Sequence, residues 1–180
     1  MALPAKTIIN ITDASLKWFA ITGLALAIFI FSPITIKYVH TPSIKTGFYL
    51  SIALPLSPNI KLGDFVSFRY VAPKWAEGRY FNTGDSLSKQ VVAIPGMYLD
   101  TRGLTSFVCQ SPRICQEVGA ILEKDSLNRP VSHVKWQMAP VPPDQFFLSG
   151  TNHLRSFDSR YYGLVPYTRI TAKLYPILTF

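Results

Sequence analysis

The sequence predicts a mainly β fold: one antiparallel β domain preceded by a single N-terminal transmembrane helix. Three observations lead there. Several segments alternate apolar and polar residues with a period of two. Prolines recur from Pro42 to Pro166 and would break long helices almost everywhere in that span. One long run near the N-terminus carries no charge. A chain of 180 residues suits one domain of ordinary size with a proper core. Charged residues make up only 16% against 48% hydrophobic, the mixture of a globular domain joined to a membrane element. The formal charge of +8 suits an anionic membrane surface better than nucleic acid, because the basic residues are scattered, with no run of three.

In chain order, residues 1–17 read as a short cytoplasmic tail and residues 18–36 as a membrane anchor. The nineteen residues between Lys17 and Lys37 are uncharged. As a helix they would span ~28 Å, close to a bilayer core of roughly 30 Å. Trp18 and Tyr38 stand at the two ends, where amphipathic rings favour the interface. A cleavable leader is the alternative, but no small-x-small site follows the run. Lys6 and Lys17 before it nearly balance Lys37 and Lys45 after it, so charge does not set the orientation. Cys109 and Cys115 bracket a short turn with Ser111 and Pro112 and read as a local disulfide, which needs an oxidising compartment. Two buried free thiols are the alternative; a zinc site lacks a nearby histidine. Residues 37–180 therefore read as an exported β domain.

Its strands are expected at residues 64–71, where Val66, Phe68 and Tyr70 alternate with Ser67 and Arg69, and at residues 87–94, 145–148 and 168–174. Residues 48–56 (Phe48, Tyr49, Leu50, Ile52, Leu54, Leu56) read either as a membrane-facing surface or as a core strand.

Three places could carry chemistry. Ser43 lies just past the anchor, which alone is an ordinary Ser-Pro turn. Lys89 shares a strand face with Leu87, Val91 and Ala93; among apolar neighbours its pKa would fall from ~10.4 towards that of a neutral base, unless it is an edge lysine that blocks aggregation. Residues 149–166 gather Ser156, Asp158, Ser159 and Arg160; in extended backbone Asp158 and Arg160 would share a face and pair. That stretch could also be a plain strand-ending turn.

The ordered set resembles the type I signal peptidases, and more closely their short TraF-type relatives in conjugative transfer systems. Thr41-Pro42-Ser43-Ile44 followed by Gly47-Phe48-Tyr49 looks like the nucleophile box, and Leu62-Gly63-Asp64-Phe65-Val66 like the strand after it. Ser88-Lys89-Gln90-Val91-Val92-Ala93-Ile94-Pro95-Gly96 looks like the lysine box, and Ser156-Phe157-Asp158-Ser159-Arg160 opens what is similar to the last box. The resemblance implies a β domain of the signal peptidase type and a serine–lysine dyad, with Ser43 as nucleophile and Lys89 as base. Thr41 would add a hydroxyl to the oxyanion site, Ser156 would orient the lysine amine, and Asp158 and Arg160 would hold the last box in place. It implies no metal and no cofactor. The substrate would be a precursor with small residues before the cleavage site, with a pilin expected in a transfer system. The setting would be the bacterial inner membrane, with the catalytic domain on the periplasmic side.

Some positions depart from the pattern. Lys45 stands where the TraF-type box has proline, Thr151 where the last box usually opens with an acid, and Met97 where an Asp often follows Pro-Gly. The chain is also short, so residues 100–140, with the cysteines, read as what remains of the large insertion found in housekeeping enzymes. The other functional readings are a housekeeping-type signal peptidase, a histidine-based triad through His153 and Asp158, and a non-catalytic envelope component. An adaptor has no reason to bring Ser43 and Lys89 within hydrogen-bonding reach.

Overall fold

The computed structural model describes residues 13–30, 32–54, 56 and 59–180. Helix α1 runs Asp13–Ile30. Its exposed apolar residues, among them Leu16, Trp18, Phe19, Ile21, Leu24 and Leu26, are spread around the helix instead of along one stripe. The expected anchor at 18–36 is corrected at its far end. Ile34–Ile36 belong to the first strand, where the β-branched run Ile-Thr-Ile favours extended backbone. Among the described residues no helix is long and apolar enough to cross a membrane. Residues 1–12 of the expected tail, and Phe31 within the expected anchor, lie outside the described residues.

The remainder forms its own compact unit, Ile34–Phe180. Its elements are β1 (Ile34–Val39), β2 (Gly47–Ala53), β3 (Phe65–Arg69), β4 (Ser86–Ala93), β5 (Tyr98–Arg102), β6 (Thr105–Ser111), β7 (Ile114–Ala120), β8 (Ala139–Pro140), β9 (Gln145–Ser149), the short helix α2 (Ser159–Tyr162), β10 (Val165–Pro166) and β11 (Ile170–Thr179). Among the described residues these make a seven-stranded sheet, ordered β1-β2-β11-β3-β4-β9-β10, and a four-stranded sheet, ordered β7-β6-β5-β8. Every pairing is antiparallel, as the alternating patterns predict. The four expected strands correspond to β3, β4, β9 and β11. Residues 100–140 supply most of the second sheet and a long connection whose Val134 N–H donates to the Arg160 carbonyl on α2 at 2.9 Å.

The large sheet is strongly curled. Three strands separate β1 from β4 in the hydrogen-bonded order, yet the Lys37 Nζ on β1 donates to Ser67 Oγ on β3 at 2.9 Å and to Ser86 Oγ on β4 at 3.2 Å. Right-handed twist and the bulge of β11 near Pro176 bend the strands enough for β1 to cross the concave face. Three apolar clusters hold this shape. One gathers Val66, Phe68, Tyr70, Leu87, Val91 and Leu148 between β3, β4 and β9. A second packs Leu99 and Val108 of the small sheet against Ala93 and Phe147. A third joins Val39, Ile44, Tyr49 and Leu174 under the β1–β2 hairpin. Within residues 48–56, Tyr49 is buried in the core, while Phe48 and Leu56 are exposed.

The cysteines form the disulfide Cys109–Cys115, which ties β6 to β7 at directly opposed positions of the hairpin.

Candidate active site

Ser43 sits in the loop between β1 and β2, and the curl of the sheet carries that loop over β4. Its own carbonyl accepts a hydrogen bond from the Asn152 N–H at 3.1 Å, which fixes the loop against the segment after β9. Ile44, fully buried next to it, and Tyr49, whose hydroxyl donates to the Lys45 carbonyl at 2.7 Å, anchor the loop from below.

Lys89 comes from the middle of β4, opposite Val66 of β3, and is only 3% exposed. Its Nζ donates to Ser43 Oγ at 2.5 Å and to Ser156 Oγ at 2.7 Å, and the Ser156 hydroxyl lies 3.3 Å from Ser43 Oγ. Burial pushes the Lys89 pKa down from 10.5 to about 8; the Asp158 carboxylate opposes this and the Arg160 guanidinium adds to it. An amine so placed is neutral in an appreciable fraction of molecules near neutral pH, and only the neutral form can take a proton.

Ser156 owes its position to its neighbours. Its backbone alternates, so Phe157 points away into a nest of rings, 4.8 Å from Tyr80 and 5.6 Å from Tyr161 between centroids. Asp158 then turns inward and is completely buried. It caps α2, its Oδ1 accepting the Arg160 N–H at 3.2 Å, and Gly163 with φ of 85° ends that helix. Two parallel bonds of 2.8 Å join the carboxylate to the Arg160 Nε and Nη2. Asp158 Oδ2 also accepts from Ser149 Oγ at 3.1 Å and from the Gly150 N–H at 3.0 Å. Asp158 and Arg160 pair as expected, but across the first turn of a helix instead of along an extended strand.

Arg160 reaches further than the sequence suggested. Its Nη2 donates to the Ser156 carbonyl at 3.2 Å and its Nη1 to the Ala120 carbonyl, so one side chain ties the last residue of β7 to the backbone of the serine whose hydroxyl meets Lys89. Gly150, which was not among the expected site residues, matters as well. A Cβ there would overlap the Ser156 hydroxyl, so only glycine lets the two segments approach. The N–H partners of Asp158 belong to backbone, and no side-chain pattern could have revealed them.

Thr41, Ser43 and Lys89 line one cavity of about 330 Å3, with Lys37, Ser86 and Ser88 at its other parts. The Thr41 hydroxyl makes no hydrogen bond to a described residue. A separate depression of about 340 Å3, lined by Gln90, Val92, Val108 and Cys115 among others, lies between the two sheets and includes neither Ser43 nor Lys89. His153 is exposed, and its Nδ1 accepts the Arg155 N–H at 3.1 Å; it is not bonded to Ser43 or Asp158, so the triad reading loses its base. Among the described residues no group of three or more His, Cys, Asp or Glu could hold a metal.

Comparison with known proteins puts this geometry in context. No curated protein sequence matches the chain. Among solved structures, a signal peptidase I from Enterococcus faecalis V583 is similar at 17% identity, with the match covering 62% of this chain and 93% of that one at a TM-score of 0.38. The model of the family described as signal peptidase, peptidase S26, matches residues 9–178. That match takes in both sheets and every residue of the buried serine–lysine cluster, and the chain belongs to the S26 signal peptidases, a family of serine proteases.

Proposed function

We propose that this protein is a membrane-anchored endopeptidase that removes leader peptides from exported precursors through a Ser43–Lys89 dyad. One observation carries the reading: a lysine that is nearly fully buried, with its pKa lowered to about 8, has its amine 2.5 Å from the hydroxyl of Ser43. In this reading neutral Lys89 takes the Ser43 proton as Oγ attacks the scissile carbonyl carbon. The tetrahedral oxyanion is met by the Ser43 N–H and the Thr41 hydroxyl. The Lys89 ammonium passes its proton to the departing amine, which leaves an ester on Ser43. Lys89 then draws a proton from water as the water oxygen attacks the ester carbon, and passes it to Ser43 Oγ as that C–O bond breaks, which releases the new carboxyl end and restores both side chains. Ser156 keeps the amine aimed throughout, and Asp158 with Arg160 keeps Ser156 in place.

The anchor reading takes the apolar segment that begins at Trp18, much of it in α1, as the membrane span. The catalytic unit, residues 37–180, would then lie on the periplasmic side of a bacterial inner membrane, where Cys109–Cys115 can stay oxidised. The substrate would be a precursor with small residues before the cleavage site, a pilin or other conjugative-transfer protein. A second sheet of only four strands among the described residues favours this branch over the housekeeping enzymes. The adaptor reading leaves the Ser43–Lys89 contact without a purpose.

The test is processing of a tagged precursor by the full chain in membranes. Ser43→Ala and Lys89→Ala are each expected to reduce cleavage to background, with protein levels unchanged. Normal cleavage by the Lys89→Ala protein would sink the dyad.

A further inference from the structure

The cavity that holds Ser43 has a second charged wall which the chemistry above does not use. Lys37 and buried Val39 alternate onto the inner face of β1, whereas Ile36 and Tyr38 face outward and are exposed. The Lys37 amine is half-buried against hydroxyls alone: Ser67 Oγ at 2.9 Å and Ser86 Oγ at 3.2 Å. Ser67 is in turn 3.2 Å from Ser88 Oγ, and Ser88 is adjacent to Lys89. Lys37, Ser86 and Ser88 line the same cavity of about 330 Å3 as Ser43 and Lys89.

Charge is unbalanced at this wall. No carboxylate among the described residues forms an ion pair with Lys37. Asp85 lines the cavity, but its Oδ2 is engaged by the Asn82 N–H at 2.8 Å. Burial, and after it the charge of a second cation, Arg69, lower the Lys37 pKa. A half-buried ammonium that has only hydroxyl acceptors gains from an incoming anion far more than a solvated one does. The cavity is large enough for a substrate side chain, and it opens beside the atom that attacks the peptide.

We propose that Lys37, backed by Ser67, Ser86 and Ser88, is a specificity-determining residue that receives an Asp or Glu side chain of the precursor close to the scissile bond. This deepens, and rests on, the Ser43–Lys89 peptidase reading. A small residue fits at the bond itself, and an acidic residue a few positions away fills the cationic end of the same cavity. A neutral amide can share the hydroxyls but leaves the ammonium unpaired, and a lysine there meets like charge.

The experiment uses the full-length protein in detergent micelles with a series of fluorogenic leader peptides. Each position flanking the scissile bond is varied singly to Ala, Glu, Gln and Lys. At one position Glu is expected to exceed Lys in kcat/KM by on the order of tenfold, with Gln between them. Lys37→Arg keeps that order, Lys37→Met flattens it, and Lys37→Glu inverts it at the same position. A flat profile at every position, Gln equal to Glu, or an acid preference that survives Lys37→Met would each overturn the subsite while leaving the peptidase intact. Should Lys37→Glu fail to fold, the wild-type, Lys37→Arg and Lys37→Met profiles still decide. Failure of the wild-type protein to cut any peptide, with Ser43→Ala no different, would bring down the peptidase reading and the subsite together.

Discussion

Raising the pH should activate the Ser43–Lys89 pair over a range set by the lysine alone. With the Lys89 pKa at about 8, about a tenth of the molecules carry a neutral amine at pH ~7 and about nine tenths at pH ~9. The sign follows from the role: a base must be unprotonated, so kcat/KM rises with pH and levels off above the pKa. The rise between those two values is about tenfold, whereas an unperturbed lysine would give roughly a hundredfold rise that was still climbing at pH ~10. The assay is steady-state cleavage of one leader peptide across that range, with Lys89→Ala as the blank. A plateau reached by pH ~9 supports the desolvated base. Activity that continues to climb past pH ~10, or that does not change with pH, would refute it.

Two further outcomes test the support around the dyad. Asp158→Ala leaves the Arg160 guanidinium buried without its carboxylate and frees the Gly150 N–H; it is expected to cost about 3–5 kcal/mol of stability, read as a lower denaturation midpoint, and to reduce cleavage. Gly150→Ala drives a methyl into the Ser156 hydroxyl and Cβ; it is expected to lower both the melting temperature and kcat, and full activity would show that Ser156 does not hold the lysine.

Much of this site is written locally. Ser43, Lys89, Ser156, Asp158 and Arg160 each sit in a short motif, and all five come together in the fold. The strand positions were legible for the same reason: Val66, Phe68 and Leu87 alternate with polar neighbours, and a period of two survives any tertiary arrangement. What could not be read was long-range curvature. Nothing in the spacing of Lys37 foretells that β1 crosses the concave face to meet Ser67 and Ser86, because sheet coiling sums small twists over many residues. The end of α1 was misjudged for a related reason. The absence of charge between Lys17 and Lys37 marks hydrophobicity but not the switch from helix to strand at Ile34. The tether from Arg160 to Ala120 depends on a backbone carbonyl of a sheet whose existence the sequence did not declare.

The curl of the large sheet has a consequence for when the enzyme can act. Serine and lysine arrive on segments that do not neighbour each other in the strand order, and they meet only once the sheet has rolled up. In a partly folded chain Lys89 is solvated, protonated near neutral pH, and far from any hydroxyl it could activate. Under the proposed dyad, Ser43 therefore gains its base only when the sheet has closed and brought Lys89 within 2.5 Å.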